Sequence, residues 1–287
     1  MYRNTQIVWR KSMLRLGWFS SGRGPGSRDL LRTVMEKKNA GALDMNIEFV
    51  FCNWDNTEEP NSRKEQREQF FGMVKGYGIP LVTLSWKSFR PDLWEKDQTR
   101  WRNEYGKEMR SFLSKYKFDI GVLAGYMLWV DDGTCETYDL INLHPALPTG
   151  PKGTWQEVIW QLIEEDAEEH GVMIHLCTKE WDRGSALTYC GFPIRGNGYD
   201  GLWKDMHEKL RTRTIDQIKA EEGEKEPLFA MIRKNGARRE LPLIVSTIEQ
   251  FAKGDLRMKD QKAYFRGKIL DGPFDLSGDV NDSMNGE

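Results

Sequence analysis

Hydrophobic positions in the first half of the chain follow two spacings. Leu14–Phe19 and Phe118–Ala124 (FDIGVLA) are short, largely apolar runs of the kind expected of strands buried on both faces. Asn46–Cys52 (NIEFVFC) alternates with period two, and Ile79–Leu84 and Leu140–Leu143 are further short strand candidates. Between them apolar residues recur at helical spacing. Asp29–Lys38 groups Leu30, Leu31 and Val34, Arg63–Tyr77 is polar-faced and ends at Gly78, and Lys96–Tyr116 is long and charged. Strand and helix in alternation predict βαβ units and a mostly parallel sheet. Ligands of such sheets sit beyond the carboxyl ends of the strands. That rule points to Ser20–Ser27, the turn after Ala124, and Asn142–His144.

The second half is less regular. From His170 to Cys177, Val172, Ile174 and Leu176 alternate with Met173, His175 and Cys177, as in a half-buried strand. It feeds a turn containing Asp182, Arg183 and Gly184. Arg195–Gly236 is charged and broken by glycines, and its run AEEGEKE reads as a solvated helix end or loop. Residues 241–252 return to helical spacing, while Asp271–Glu287 is rich in Gly, Asp, Asn and Ser and is expected to be mobile or extended. No internal repeat is present.

Composition narrows the function classes. A chain of 287 residues can form one large α/β domain or two small ones. A net charge of −2 argues against a nucleic-acid footprint spread over the surface, leaving only a local basic patch open. Cys52, Cys135, Cys177 and Cys190 have no CxxC pairing, which suits reduced thiols better than disulfides or a zinc site. Neither a signal-peptide apolar core nor an apolar run of about 18 residues occurs, so a soluble, cytoplasmic chain with no membrane partner is expected. The eleven tryptophans read first as packing, with a stacking surface for a flat ligand as the minority reading at any one of them.

Three constellations carry candidate chemistry. SSGRGPGSRDLL (Ser20–Leu31) places glycines between a strand and a helix, where backbone N–H groups and the helix start favour an anion. It matches neither GxGxxG with its later acidic residue nor a P-loop, and a tight turn that needs glycine is an equally fair reading. Asn142-Leu143-His144-Pro145 directs an amide and an imidazole to the same side of a strand end, a pairing able to hold an oxyanion and move a proton. His175 and Asp182 form the third. A carboxylate near an imidazole raises its pKa, although an Asp before glycine also serves ordinary turns.

In this order the residues resemble the glycinamide ribonucleotide transformylase branch of the formyltransferase family. The likeness rests on the Gly-rich loop, LAGYM (Leu123–Met127), Asn-x-His-Pro, and His175 with Asp182 seven residues later. It is extended by the spacing from His144 to Gly153 and by QFAKGDLRMKDQKAYFRGKIL (Gln250–Leu270), so it spans nearly the whole chain. The resemblance implies a single three-layer α/β domain, Rossmann-like, with a mostly parallel twisted sheet and helices on both faces. Residues 195–236 would be an insertion and 271–287 a flexible tail. Other departures are about 13 residues before the first strand and a loop two residues longer. Arg28 stands where the family has Asn, Pro151 replaces an aromatic, and Leu128 replaces an arginine. Glu240 lies a few positions from where a ribose-binding glutamate is expected.

The implied activity is formyl transfer from 10-formyltetrahydrofolate, a co-substrate, to a primary amine such as that of glycinamide ribonucleotide in purine biosynthesis, without a metal. The resemblance gives Asn142, His144 and Asp182 the catalysis, and Gly24, Gly26, Ser27 and Arg28 the acceptor phosphate. His175 would support the substrate, and Leu123, Met127, Leu128 and Val130 would line the folate slot. A homodimer stays open. Rival readings are a formyltetrahydrofolate hydrolase, transfer to a sugar amine or methionyl-tRNA, and a catalytically idle nucleotide-binding module.

Overall fold

The computed structural model describes residues 13–55, 62–179, 184–196, 198–259 and 261–285. The chain begins with β1 (Leu14–Ser20), α1 (Pro25–Asn39), β2 (Met45–Cys52), α2 (Ser62–Gly76) and β3 (Leu81–Thr83). Two helices follow, α3 (Pro91–Lys96) and α4 (Gln98–Leu113), then β4 (Ile120–Leu123), α5 (Asp132–Thr137), β5 (Leu140–His144) and α6 (Trp155–Glu164). Next come β6 (Glu169–Leu176), β7 (Ala186–Pro193), α7 (Tyr199–Leu210), α8 (Ile215–Glu221) and the long α9 (Pro227–Lys253). The chain closes with β8 (Leu256–Lys259), β9 (Lys262–Phe265), β10 (Lys268–Ile269), β11 (Phe274–Asp275) and α10 (Ser277–Asn285).

The main sheet has eight strands in the order β11-β7-β6-β5-β4-β1-β2-β3, and β8–β10 make a small antiparallel sheet. β1 pairs in parallel with both β2 and β4, and β4 pairs in parallel with β5. β6 and β7 are antiparallel. The mostly parallel sheet with helices around it is therefore the expected one. Strand order reverses at β1, with β2 and β3 on one side and β4 and β5 on the other, which makes the carboxyl ends of β1 and β4 the switch point where ligands bind. Leu16 and Trp18 of β1 are fully buried, as the apolar density of these strands requires.

Contacts divide the chain into two compact units. One comprises Met1–Asn142, Leu176–Gly184 and Ile248–Asp271, and the other Leu143–His175, Ser185–Thr247 and Gly272–Glu287. The first has an aromatic core in which Phe19, Phe51, Trp101 and Tyr105 are buried. Each such side chain contributes about 1.5–3 kcal/mol by leaving water. The second is built around Ile159, Trp203, Phe229 and Ile232.

Local chemistry explains where elements differ from expectation. The long helix over Lys96–Tyr116 is interrupted at Asp97, whose carboxylate accepts from the Arg100 N–H at 2.9 Å and so starts α4 afresh. The first helix starts earlier, because Pro25 suits a first helical position and needs no N–H there. Residues 195–236 are less loop-like than their charge suggests. Trp203, Met206, Ile218 and Phe229 are buried in the second unit's core, and Thr214 and Gln217 close a capping box that starts α8. The tail from 271 was expected to be mobile or extended. Instead it carries β11 and α10, held because Leu276 and Val280 are buried and Ser277 Oγ accepts from the Gly191 N–H at 2.9 Å. No described helix is long and apolar enough to cross a membrane.

Candidate functional site

The switch point is built from two loops of the first unit. At the end of β1, Ser20 and the following Ser21 are fully buried, and the Ser21 N–H donates to the Gly125 carbonyl at 3.1 Å. Ser21 Oγ accepts in return from the Met127 N–H at 2.9 Å, which ties the Gly-rich loop to the turn after β4. Gly22 at φ +58° and Gly125 at φ +68° take the left-handed turns that this arrangement needs. The chain then enters α1. Gly24 makes no side-chain cap and Pro25 has no N–H, so the first-turn N–H groups of Gly26 and Ser27 are left for an outside partner. A Cβ built on Gly24 or Gly26 would meet nothing within 4 Å, so the space over this turn is open. Ser27 Oγ lies 3.3 Å from where a Gly125 Cβ would stand, beside the β4 turn.

Arg28 lies in the fourth position of α1. Its Nη1 donates to the Gln66 carbonyl of α2 at 3.0 Å. Its neighbour Asp29 pairs with Arg32 at 2.8 Å.

The four residues expected to line an apolar slot divide in the structure. Leu123 and Val130 are buried in the first unit's aromatic core, and Leu128 packs against it. Met127 is 65% exposed. Two residues on, Trp129 is 39% exposed and carries the Arg102 guanidinium 4.1 Å over its ring.

Asn142 pairs in register with Leu123, at the carboxyl end of β5. His144 ends the same strand two residues later, so both side chains leave one strand face, as the spacing requires. His144 is buried, as is His175 on β6, and their rings meet edge to face with centroids 6.2 Å apart. Asp182 lies outside the described residues. Among the described residues, no group of three His, Cys, Asp or Glu is placed to hold a metal.

The second unit contains a cavity of about 230 Å³ lined by Leu147, Gly150, Pro151, Gln161, Glu169 and His170 among others. His170 is buried with its ring edge on Phe192 and its Nε2 3.4 Å from where a Gly236 Cβ would lie on α9. Burial, helped by Arg233, His144 and Arg239, pushes its pKa down to about 4 from the ordinary 6.5. Between these values the unfolded chain binds more protons than the folded one, so stability is full above pH 6.5 and is lost as pH falls through 4. The full loss from this group is about 3 kcal/mol. Urea unfolding at pH 7 and pH 4.5 should show a steeper decline for the parent protein than for His170→Leu. Equal declines would remove His170 as the cause.

Comparison with known proteins places these features in context. The family described as Formyl transferase matches residues 22–201. Over 90% of this chain and 96% of the relative, the sequence is 24% identical to the phosphoribosylglycinamide formyltransferase of Haemophilus influenzae. It is 32% identical to the enzyme of that name from Escherichia coli over 59% of this chain and 66% of the relative. Among solved structures, the phosphoribosylglycinamide formyltransferase of Coxiella burnetii in complex with CHES superposes with a TM-score of 0.58 at 18% identity, covering 92% of this chain and 100% of that one. At that identity the shared property is the fold.

Proposed function

We propose that this chain, which belongs to the formyl transferase family, moves a formyl group from 10-formyltetrahydrofolate to the primary amine of a phosphorylated acceptor, glycinamide ribonucleotide. The observation that carries the acceptor class is the first turn of α1, uncapped, open above, and set at the reversal of strand order. The acceptor's identity is supported by the names of the curated relatives.

In this reading the acceptor phosphate binds the N–H groups of the Gly24–Ser27 turn and the Arg28 fork. The amine nitrogen attacks the formyl carbon and a C–N bond forms. The carbonyl oxygen becomes an oxyanion, held by the Asn142 amide and protonated His144. Asp182 keeps His144 charged and takes the amine proton through water. The bond to the folate nitrogen then breaks, and that nitrogen leaves with a proton. His175, against the His144 ring, holds it in place. The folate ring lies along the turn after β4, against Met127 and Leu128, while Leu123 and Val130 support that turn from the core. The chain acts as one formyltransferase domain, with 195–236 as its insertion.

The test incubates the protein with 10-formyltetrahydrofolate, with and without glycinamide ribonucleotide, and follows the folate product by absorbance. Product that requires the amine supports transfer. Product formed equally without it indicates hydrolysis, and no product with either indicates an idle module.

Arg28→Ala should raise the acceptor KM by about tenfold or more, the scale of a lost charge-assisted hydrogen bond. The KM for 10-formyltetrahydrofolate should barely change, and the acceptor effect should shrink at high salt. An unchanged acceptor KM would remove Arg28 from the phosphate site.

A further inference from the structure

The turn after β4 is tied to the Gly-rich loop at its start and to α4 at its end. Residues 102, 106 and 110 of α4 are four apart and so share one helix face. That face meets the turn at three points. Arg102 lies over the Trp129 ring. Gly106 stands against Asp131, where a Cβ would collide with the carboxylate. Arg110 Nη1 donates to Asp131 Oδ2 and to Thr134 Oγ1, both at 2.6 Å. Asp131 is only 3% exposed, and both its carboxylate oxygens have donors. Besides Arg110 it accepts from the Thr134 N–H at 3.2 Å, as the cap that starts α5, and from the Thr134 hydroxyl. Gly133 completes the fit, since a Cβ there would come within 2.9 Å of Arg110 Nη2. Capping alone needs none of this, because a serine or asparagine starts a helix as well. Placing a carboxylate out of water and a glycine inside α4 both cost stability. What they provide together is one fixed position for the end of the turn.

We propose that Asp131 is a positioning residue for the folate co-substrate: locked by Arg110 against Gly106 and Gly133, it holds the far end of the 125–131 turn so that Met127 and Leu128 stay set as the wall of the folate slot. This rests on the reading that the folate ring lies along that turn. The near end is fixed independently, by the hydrogen bonds that join Ser21 to Gly125 and Met127. Between these anchors Met127 and Trp129 are exposed apolar side chains, which a flat ring covers only if the backbone beneath them keeps one shape. A turn left loose at Asp131 has to be ordered at each binding event, and that cost falls on folate affinity alone. The chemistry assigned to Asn142 and His144, and the phosphate site at α1, do not draw on it.

The test compares Asp131→Asn and Gly133→Ala with the parent protein in steady-state kinetics, thermal melting and hydrogen exchange, the last with and without tetrahydrofolate, the product of transfer. Asp131→Asn should raise the 10-formyltetrahydrofolate KM about tenfold, the scale of a lost charge-assisted hydrogen bond, with kcat within about twofold and the acceptor KM unchanged. Its amides over 125–131 should exchange faster, while those of β1 and β5 keep the parent's rates. Gly133→Ala separates position from stability. Alanine favours the helix at α5, so melting should hold or rise. Its methyl group nonetheless pushes the Arg110 head off Asp131, and the folate KM should rise about threefold. A folate KM that matches the parent in both variants would overturn the assignment. So would a loss of kcat and a rise in both KM values that follow a lowered melting temperature. In the parent, tetrahydrofolate should slow exchange over 125–131. Such protection paired with unaffected variants refutes Asp131 alone, whereas a parent without it refutes the folate reading beneath and the assignment with it.

Discussion

Asp182→Asn is expected to fold as the parent does and to lose most of its formyl transfer, by about 10²–10⁴ in kcat, the contribution of one proton-transfer group. The carboxylate has two roles in the proposed mechanism, and the amide can perform neither. It favours the imidazolium form of His144, because a nearby negative charge stabilises the cation. It also accepts the proton that the attacking amine must release. Asparagine has nearly the same shape, and so the expected change in melting temperature is small. Turnover and melting measured on the same preparation separate the two effects. Near-normal turnover with unchanged melting would remove Asp182 from the mechanism. Lost turnover with a large drop in melting temperature would make it structural.

Much of the scaffold was legible because its strands are buried on both faces. Leu14–Phe19 and Phe118–Ala124 carry apolar residues at a density that only a covered parallel strand tolerates, and β1 and β4 lie there. The alternation with helices then placed the candidate site at three strand ends. Boundaries were less legible because they turn on single caps. Asp97 reads as one more charge in a charged helix until its carboxylate is seen to accept from the Arg100 N–H. The tail reads as mobile from its Gly and Asp content, yet two apolar residues, Leu276 and Val280, suffice to hold a strand and a helix.

The site was unevenly legible for a related reason. Asn142 and His144 share a strand face because the period of a strand is two, which sequence alone dictates. Sequence spacing does not reveal whether an apolar residue faces a ligand or the core, and Leu123 and Val130 are buried in the core while Trp129 is exposed. The burial of Arg67 on α2 was invisible for the opposite reason. In a polar-faced helix a charged residue reads as solvated, and only the positions of Gly22 and Trp54 show that it is enclosed.

Asn142→Ala and His144→Ala are each expected to cost about 2–4 kcal/mol of transition-state stabilisation, the range for a lost oxyanion donor or proton-transfer group. The decisive quantity is how the two losses combine. If the Asn142 amide and the His144 imidazolium bind one oxyanion, removing either leaves the other poorly aligned, and the double variant should cost less than the sum of the single ones. Two residues on one strand face, both at its carboxyl end, are the arrangement in which such coupling arises. His144 is buried, and its truncation leaves a cavity that can lower stability on its own. His144→Gln, which keeps most of the volume and a hydrogen-bonding head, controls for that. It should retain stability yet lose transfer, because the amide carries no positive charge and cannot exchange a proton near neutral pH. Measured kcat/KM values that multiply strictly across the cycle would assign Asn142 and His144 to separate events, with the oxyanion held by only one of them.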